Sequence, residues 1–268
     1  MAAELILVGG GRMGTALMEG ILSSGSIAAS SIVVVEPDIE RRAMLRLAHD
    51  DLVLVDTPGL EHIDAATSAI IAVKPEIAES ATKLVGALGI QRVLSIAAGI
   101  PCARLEAALP GPLAVIRAMP NTPALVGAGV TAISGGSHVT KQDLDWAEAL
   151  LANVGTVVRV PERQLDAVTG VSGSGPAYLF LVAEALIDAG VTAGLTREVA
   201  RTLANETILG AGRMLVESGQ SAEELRAQVT SPGGTTAAAI RSLEARAVRS
   251  AFVEAVFAAV ERSRALGR

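Results

Sequence analysis

The sequence predicts an α/β protein: a doubly wound parallel sheet over residues 1–160, followed by an all-α domain over residues 161–268. Three observations carry that expectation. Short β-branched apolar runs alternate with helical stretches from Leu5 to about Val160, as strands and crossover helices do in a sheet wound on both faces. A glycine fingerprint follows the first of those runs. After Pro161 the strand-like runs stop.

The expected strands, in order, are Leu5–Val8, Ile32–Val35, Leu52–Val55, Ala69–Val73, Arg92–Ile96, Val115–Ala118, Val130–Ser134 and Val157–Val160. Their near-continuous hydrophobicity suits strands covered on both faces. The expected helices of the second half are Glu162–Val168, Gly175–Ala189, Arg197–Glu217, Ala222–Gln228, Thr235–Ala245 and Arg249–Ala265. They carry Ala, Val and Leu on more than one face, so each can be surrounded by neighbours. A helical segment that short is small to bury so much apolar surface alone. A homodimer is therefore expected, the alternative being a helical domain packed only on its own first domain.

Composition narrows the field. Hydrophobic residues make up 50% of the chain and aromatics only 2%, so the core has to be built from Ala, Val, Leu and Ile. A net charge of -6 opposes nucleic-acid binding, which needs a basic footprint. Cys102 is the one cysteine, which excludes an intrachain disulfide and fits a reducing compartment. Glu4 stands where a signal peptide carries positive charge. The longest uncharged stretch, Ala167 to Ala183, is broken by Gly170, Gly173, Gly175 and Pro176. A cytoplasmic protein with no membrane span is expected.

The chemistry-bearing motifs lie at predicted strand ends and helix openings. Gly9, Gly10, Gly11, Arg12, Met13 and Gly14 match G-x-G-x-x-G between a strand and a helix, the Rossmann-type context in which glycines let a pyrophosphate approach the backbone. Glu36 ends the second strand about twenty residues further on, where an acid accepts from the adenosine ribose. That favours NAD; Arg41 and Arg42, close behind, are either the solvated start of the next helix or contacts for a 2′-phosphate, and the choice of cofactor stays open. Ala72, Val73, Lys74 and Pro75 close the fourth strand, and Lys74 is either a cofactor contact or a surface lysine. Ile96, Ala97 and Ala98, with Gly99, end the fifth with side chains small enough to admit a flat ring or to pack tightly. Asn121 sits between two prolines in Met119–Pro123, placed either to orient a nicotinamide or to hold a loop.

Further on, Gly173-Ser174-Gly175-Pro176 opens the first long helix, with Tyr178 read as a core or interface residue in preference to an acid catalyst. Ser231, Pro232, Gly233, Gly234, Thr235 and Thr236 place a glycine turn and hydroxyls at the mouth of a helix, an arrangement suited to a carboxylate or to plain helix capping. Every lysine (Lys74, Lys83, Lys141) and every histidine (His49, His62, His138) precedes residue 142, so the helical half has neither as a catalyst. His62 near Asp64 has no matching ligand set, and no metal is expected. Ser172 and Ser174 lack the strand-to-helix elbow of a hydrolase.

Taken together, VGGGRMG (Val8–Gly14), AVKP (Ala72–Pro75), RAMPNTPALVGAG (Arg117–Gly129), AVTGVSGSGPAY (Ala167–Tyr178) and SPGGTT (Ser231–Thr236) resemble pyrroline-5-carboxylate reductases, the last enzymes of proline biosynthesis. The resemblance spans nearly the whole chain. It implies a Rossmann domain, a helical dimerisation domain and a higher ring of dimers. It places Gly9 to Gly14, Glu36, Ala72 to Pro75 and Ile96 to Ala98 around NADP(H) or NAD(H), with Asn121 nearby. It gives the carboxylate of a cyclic imino acid to Ser231, Gly233, Gly234, Thr235 and Thr236, with Thr236 as the catalytic candidate. Glu36 departs from the small polar residue of many NADP-preferring members. The alternatives are a 3-hydroxyacid dehydrogenase-like enzyme, which would need a lysine on a late helix, and a dinucleotide sensor without turnover.

Overall fold

The computed structural model describes residues 3–63 and 67–267. Its first half is a sheet with eight strands among the described residues: β1 (Leu5–Val8), β2 (Ile32–Val35), β3 (Val53–Val55), β4 (Ser68–Ile71), β5 (Arg92–Ser95), β6 (Ala114–Met119), β7 (Gly129–Gly135) and β8 (Gly155–Arg159). They lie in the order β3-β2-β1-β4-β5-β6-β7-β8. All eight expected strands are present within two residues of their predicted ends. Between them run α1 (Arg12–Ser24), α2 (Ile39–Ala48), α3 (Pro75–Gly86), α4 (Cys102–Ala107) and α5 (Lys141–Leu151).

Side-chain alternation explains why the strands read as unbroken apolar runs. Leu5, Leu7, Ile32, Val34 and Ile70 point into one core layer, while Ile6, Val8, Val33, Val35 and Ile71 point into the other. Both faces are therefore dry. Short caps fix where the helices begin. The Asp38 carboxylate accepts from the Arg41 amide at 3.0 Å to open α2, and Thr140 and Asp143 cap α5 reciprocally.

The sheet is parallel as expected except at one pair: β6 and β7 run antiparallel, Ile116 opposite Gly135 and Met119 opposite Ala132. Residues 120–128, folded around a 3-10 turn at Thr122–Val126, are too few for a parallel crossover, which takes about a dozen residues or more. β7 and β8, joined through α5, are again parallel to each other.

The second half holds α6 (Leu165–Val168), α7 (Gly175–Thr192), α8 (Arg197–Glu217), α9 (Ala222–Gln228), α10 (Thr235–Ala245) and α11 (Val248–Leu266). The helix expected at Glu162–Val168 is a 3-10 turn, Glu162–Gln164, running into α6. Thr169–Gly173 then makes a π turn that the sequence reading lacked. By Cα proximity the compact units are 1–174 with 257–268, and 175–256, whereas the sequence reading drew its border at 160/161. Local bonds keep the intervening stretch with the sheet: Glu162 Oε1 accepts from the Cys102 amide at 2.7 Å and lies 3.3 Å from Arg117 Nη1 on β6. Burial, followed by the Glu162 carboxylate, pushes the Cys102 thiol up to about 12. It stays protonated at neutral pH and is chemically quiet.

Within 175–256 the only buried residues among those described are Pro176, Ala200, Ala204 and Leu225. Gly190 and Ala200 bring α7 and α8 close, since a methyl on Gly190 would lie 2.9 Å from the Ala200 Cβ. Leu179, Phe180 and Leu181 on α7 are all more than half exposed. The run Glu162–Thr192 is long and apolar enough, by length and composition alone, to cross a membrane, and little of it is buried.

Candidate active site

β1 has β2 on one side and β4 on the other. Successive connections leave it in opposite directions, which opens a crevice at the carboxyl ends of the strands. There lies a cleft of about 620 Å³ lined by Gly9, Gly11, Glu36, Ala72, Val73 and Lys74, together with Arg41, Asp56, Ile77, Ser80 and Leu84. Gly9 sits at φ 105°, and a Cβ there would come 2.5 Å from the Ala72 carbonyl. A methyl on Gly14 would overlap the Gly9 carbonyl. The β1–α1 turn therefore lies against the β4–α3 turn with no room for any other residue.

Glu36 is 6% exposed and is held at both oxygens. Its Oε2 accepts from the Gly10 amide at 2.9 Å, and its Oε1 accepts from the Asp38 amide at 3.0 Å. Arg42 donates instead to the Glu36 main-chain carbonyl, which ties it down behind the strand. Arg41 reaches the front, 3.5 Å from where a Cβ on Gly11 would stand. A fixed carboxylate at the end of β2, a bare glycine turn at the head of α1 and a neighbouring guanidinium fit the ribose and pyrophosphate of a dinucleotide.

Of the remaining residues expected near the cofactor, Arg12 is exposed, while Met13 and Ile96 pack against the core. Pro75 starts α3, with Lys74 as its cap residue. The Ala97 amide donates to Ser95 Oγ at 3.3 Å. Asn121, 7% exposed, uses its amide to hold chain to chain: Oδ1 accepts from the Val130 amide at 2.9 Å, and Nδ2 donates to the Ser172 carbonyl at 3.2 Å. It thereby joins the start of β7 to the π turn. Those are the contacts of the loop-holding reading. Asp56 had gone unnoticed in the sequence, yet it follows β3 directly and so falls on the same carboxyl edge.

The SPGGTT turn belongs to the helical unit. The Gly234 amide donates to the Ser231 carbonyl at 3.1 Å, closing the turn, and Gly234 caps α10 without any side-chain hydrogen bond. Ser231, Gly233 and Thr235 are exposed, and Gly234 and Thr236 are half-buried. The first turn of α10 thus has no side-chain cap and carries two threonine hydroxyls, an arrangement able to receive an anion. Tyr178 lies half-buried on α7. The pairing read between His62 and Asp64 lies outside the described residues. Among those described, no group of three or more His, Cys, Asp or Glu side chains is gathered for a metal.

Fold and cleft together define a dinucleotide-dependent oxidoreductase with a Rossmann sheet and a helical second half. A family model described as pyrroline-5-carboxylate reductase dimerisation matches residues 162–266, and one described as NADP oxidoreductase, coenzyme F420-dependent, matches residues 4–99. The chain is 42% identical over 269 residues to a pyrroline-5-carboxylate reductase of Synechocystis, covering 100% of both. It is 43% identical over 289 residues to that of Mycobacterium tuberculosis, covering 98% of this chain and 97% of that one. A solved pyrroline-5-carboxylate reductase from Coxiella burnetii superimposes with TM-score 0.90 at 33% identity over 100% of both chains. The Plasmodium falciparum pyrroline carboxylate reductase with NADP bound gives 0.85 at 31%, covering 99% and 98%. The chain belongs to the pyrroline-5-carboxylate reductase family. The exposed apolar side chains of α7, α8 and the first half of α11 (Phe252, Val253 and Phe257) fall in the matched dimerisation segment, in keeping with self-association.

The Glu36 geometry generates a prediction. With its carboxylate fixed toward the cleft, Glu36→Ser should raise the NADPH/NADH ratio of kcat/KM by about tenfold or more, the carboxylate's repulsion of a 2′-phosphate having gone. An unchanged ratio would remove Glu36 from cofactor choice.

Proposed function

We infer that this chain reduces 1-pyrroline-5-carboxylate to L-proline, the last step of proline biosynthesis, with NADPH or NADH as hydride donor. The observation that carries the reading is the presence in one chain of the glycine-turn cleft and the open SPGGTT turn at the head of α10. Full-length likeness to curated members of the family supports it. When bound, the reduced nicotinamide supplies a hydride, and the imine carbon accepts it. The chain's own work is to hold the two partners. Gly9 to Gly14 and Glu36 orient the dinucleotide with backbone amides and a fixed carboxylate. Ser231, Gly233, Gly234, Thr235 and Thr236 hold the substrate carboxylate with first-turn amides and hydroxyls.

A cyclic imine that arrives protonated at nitrogen is already activated, so no side chain has to deliver a proton. That agrees with a helical half without lysine or histidine. A 3-hydroxyacid dehydrogenase would be left without its late lysine. Self-association beyond a pair, as a ring of dimers, is supported by Met214, Leu215 and Val216, which are consecutive, all exposed and therefore directed to different sides of α8. We place the enzyme in the cytoplasm, with the apolar run at Glu162–Thr192 covered by a second copy.

The purified protein should oxidise NADPH or NADH on addition of the cyclic imine and form proline. Tight dinucleotide binding without turnover would favour the sensor reading. Thr236→Val keeps the shape and loses the hydroxyl; kcat/KM for the imine should fall by about tenfold to a hundredfold, corresponding to about 1.5–3 kcal/mol, the scale of a hydrogen bond to a charged group, with dinucleotide affinity unchanged. Equal kcat/KM in the variant would take Thr236 out of the site. The alkaline fall in activity should follow the imine's own pKa, and Tyr178→Phe should cost less than about tenfold in kcat, below the range of a general acid. A larger loss, with the alkaline limb abolished and substrate binding intact, would make Tyr178 the proton donor.

A further inference from the structure

The end of α11 reaches the loop that follows β5. From Phe257 onward the helix groups with the sheet unit, and Val260 and Ser263 are buried there at 6% and 3% exposure. Ser263 Oγ donates to Asp166 Oδ1 on α6 at 2.7 Å, and Arg264 Nε stands 3.8 Å from the same carboxylate. In the last turn, backbone meets backbone. Gly99 sits at φ 80°, where a Cβ would lie 3.0 Å from the Leu266 Cβ, and a methyl on Gly267 would overlap the Gly99 carbonyl. Arg104, just beyond the loop on α4, donates to the Gly267 carbonyl at 3.4 Å and pairs through its other nitrogen with Glu79 on α3.

These contacts converge on a segment with little stiffness of its own. Ile96-Ala97-Ala98-Gly99 has small side chains and ends in a residue with the widest backbone freedom. A loop of that composition loses conformational entropy when a ligand orders it, unless packing has ordered it beforehand. The Leu266–Gly267 turn lies directly on Gly99, and Ser263 anchors that turn to α6.

We propose that Ser263 and Leu266 are positioning residues for dinucleotide binding: through them the end of α11 pre-orders the Ile96–Gly99 loop at the carboxyl edge of the sheet. The proposal rests on the reading of Ile96, Ala97 and Ala98 as cofactor-lining residues. Neither Ser263 nor Leu266 touches the reacting atoms. Their effect is on the shape the loop already has before a ligand arrives.

The test uses the full chain carrying Ser263→Ala with Leu266→Ala. Hydrogen exchange at the amides of residues 97–100, measured without dinucleotide, should quicken by about tenfold or more as local opening becomes easier. The Kd for NADH and for NADPH, read by fluorescence titration, should both rise about fivefold or more, while the imine KM at saturating dinucleotide stays within about twofold. Light scattering should show the same assembly as the parent. A merely structural role would lower stability without that split between Kd and KM, and unchanged Kd values would overturn the proposal. Should the double variant fail to fold, Arg104→Gln, at an exposed clamp, should still raise both Kd values by about twofold or more; no rise there overturns the proposal equally. Ala98→Val separates the two readings. If it leaves both Kd values unchanged, the loop is not cofactor-lining and the proposal falls with that reading. If it raises them while the α11 variants do not, the positioning role alone is wrong.

Discussion

The carboxyl edge of this sheet depends on one close approach. Gly9 lies so near Ala72 that a single methyl would collide with its carbonyl, and this contact sets the β1–α1 turn against the β4–α3 turn. The cleft follows from it: Gly11 left bare at the head of α1, Val73 and Lys74 on the opposite wall, and Glu36 reaching across to the Gly10 amide. A side chain at Gly9 or Gly14 would prise those turns apart, with the cost of an overpacked core site, about 1–3 kcal/mol. The damage would fall on the dinucleotide first, because the edge of the sheet moves while its interior, made of Ile6, Leu7, Val33, Val34 and Ile70, stays closed.

The helical unit is built on the opposite principle. It has almost no interior within one chain, and leucines, valines and phenylalanines along α7, α8 and α11 remain at the surface. Each such side chain gains about 1.5–3 kcal/mol on full burial, so a handful of them closing against a second copy outweighs the entropic cost of association. The start of α10 shares that openness, with Gly234 as its cap and no side-chain hydrogen bond there. The two halves therefore differ in kind, the sheet closed on both faces around a dinucleotide-type cleft and the helices left open for assembly.

Much of this was legible in the sequence, and the reasons are local. Strand runs such as Leu5–Val8 and Ile32–Val35 stand out because both faces are buried, so no polar residue interrupts them. α8, α9 and α10 match their predicted bounds, and in the structure Thr196 and Ser221 cap the first two with their side chains. The antiparallel β6–β7 pair was hidden because strand direction leaves no trace in composition; only the brevity of residues 120–128 hinted at it. The π turn at Thr169–Gly173 was equally hidden, since its one-residue widening is supported by a distant side chain, Asn121. Asp56 carries no motif around it in the sequence and reaches the cleft only because β3 ends on the same edge as β2. The contact of Gly99 with Leu266 joins positions far apart in the chain, and no periodicity announces it.

The measurement that bears most directly on the central claim is transfer of label. Reduced dinucleotide carrying deuterium at the hydride-donating carbon of the nicotinamide, mixed with the purified protein and the cyclic imine in ordinary water, should yield proline with a single deuterium on the former imine carbon, detected by mass spectrometry and located by NMR. Direct transfer from a held donor to a held acceptor requires that result. Proline without deuterium, or no proline although the protein binds both ligands, would contradict the account.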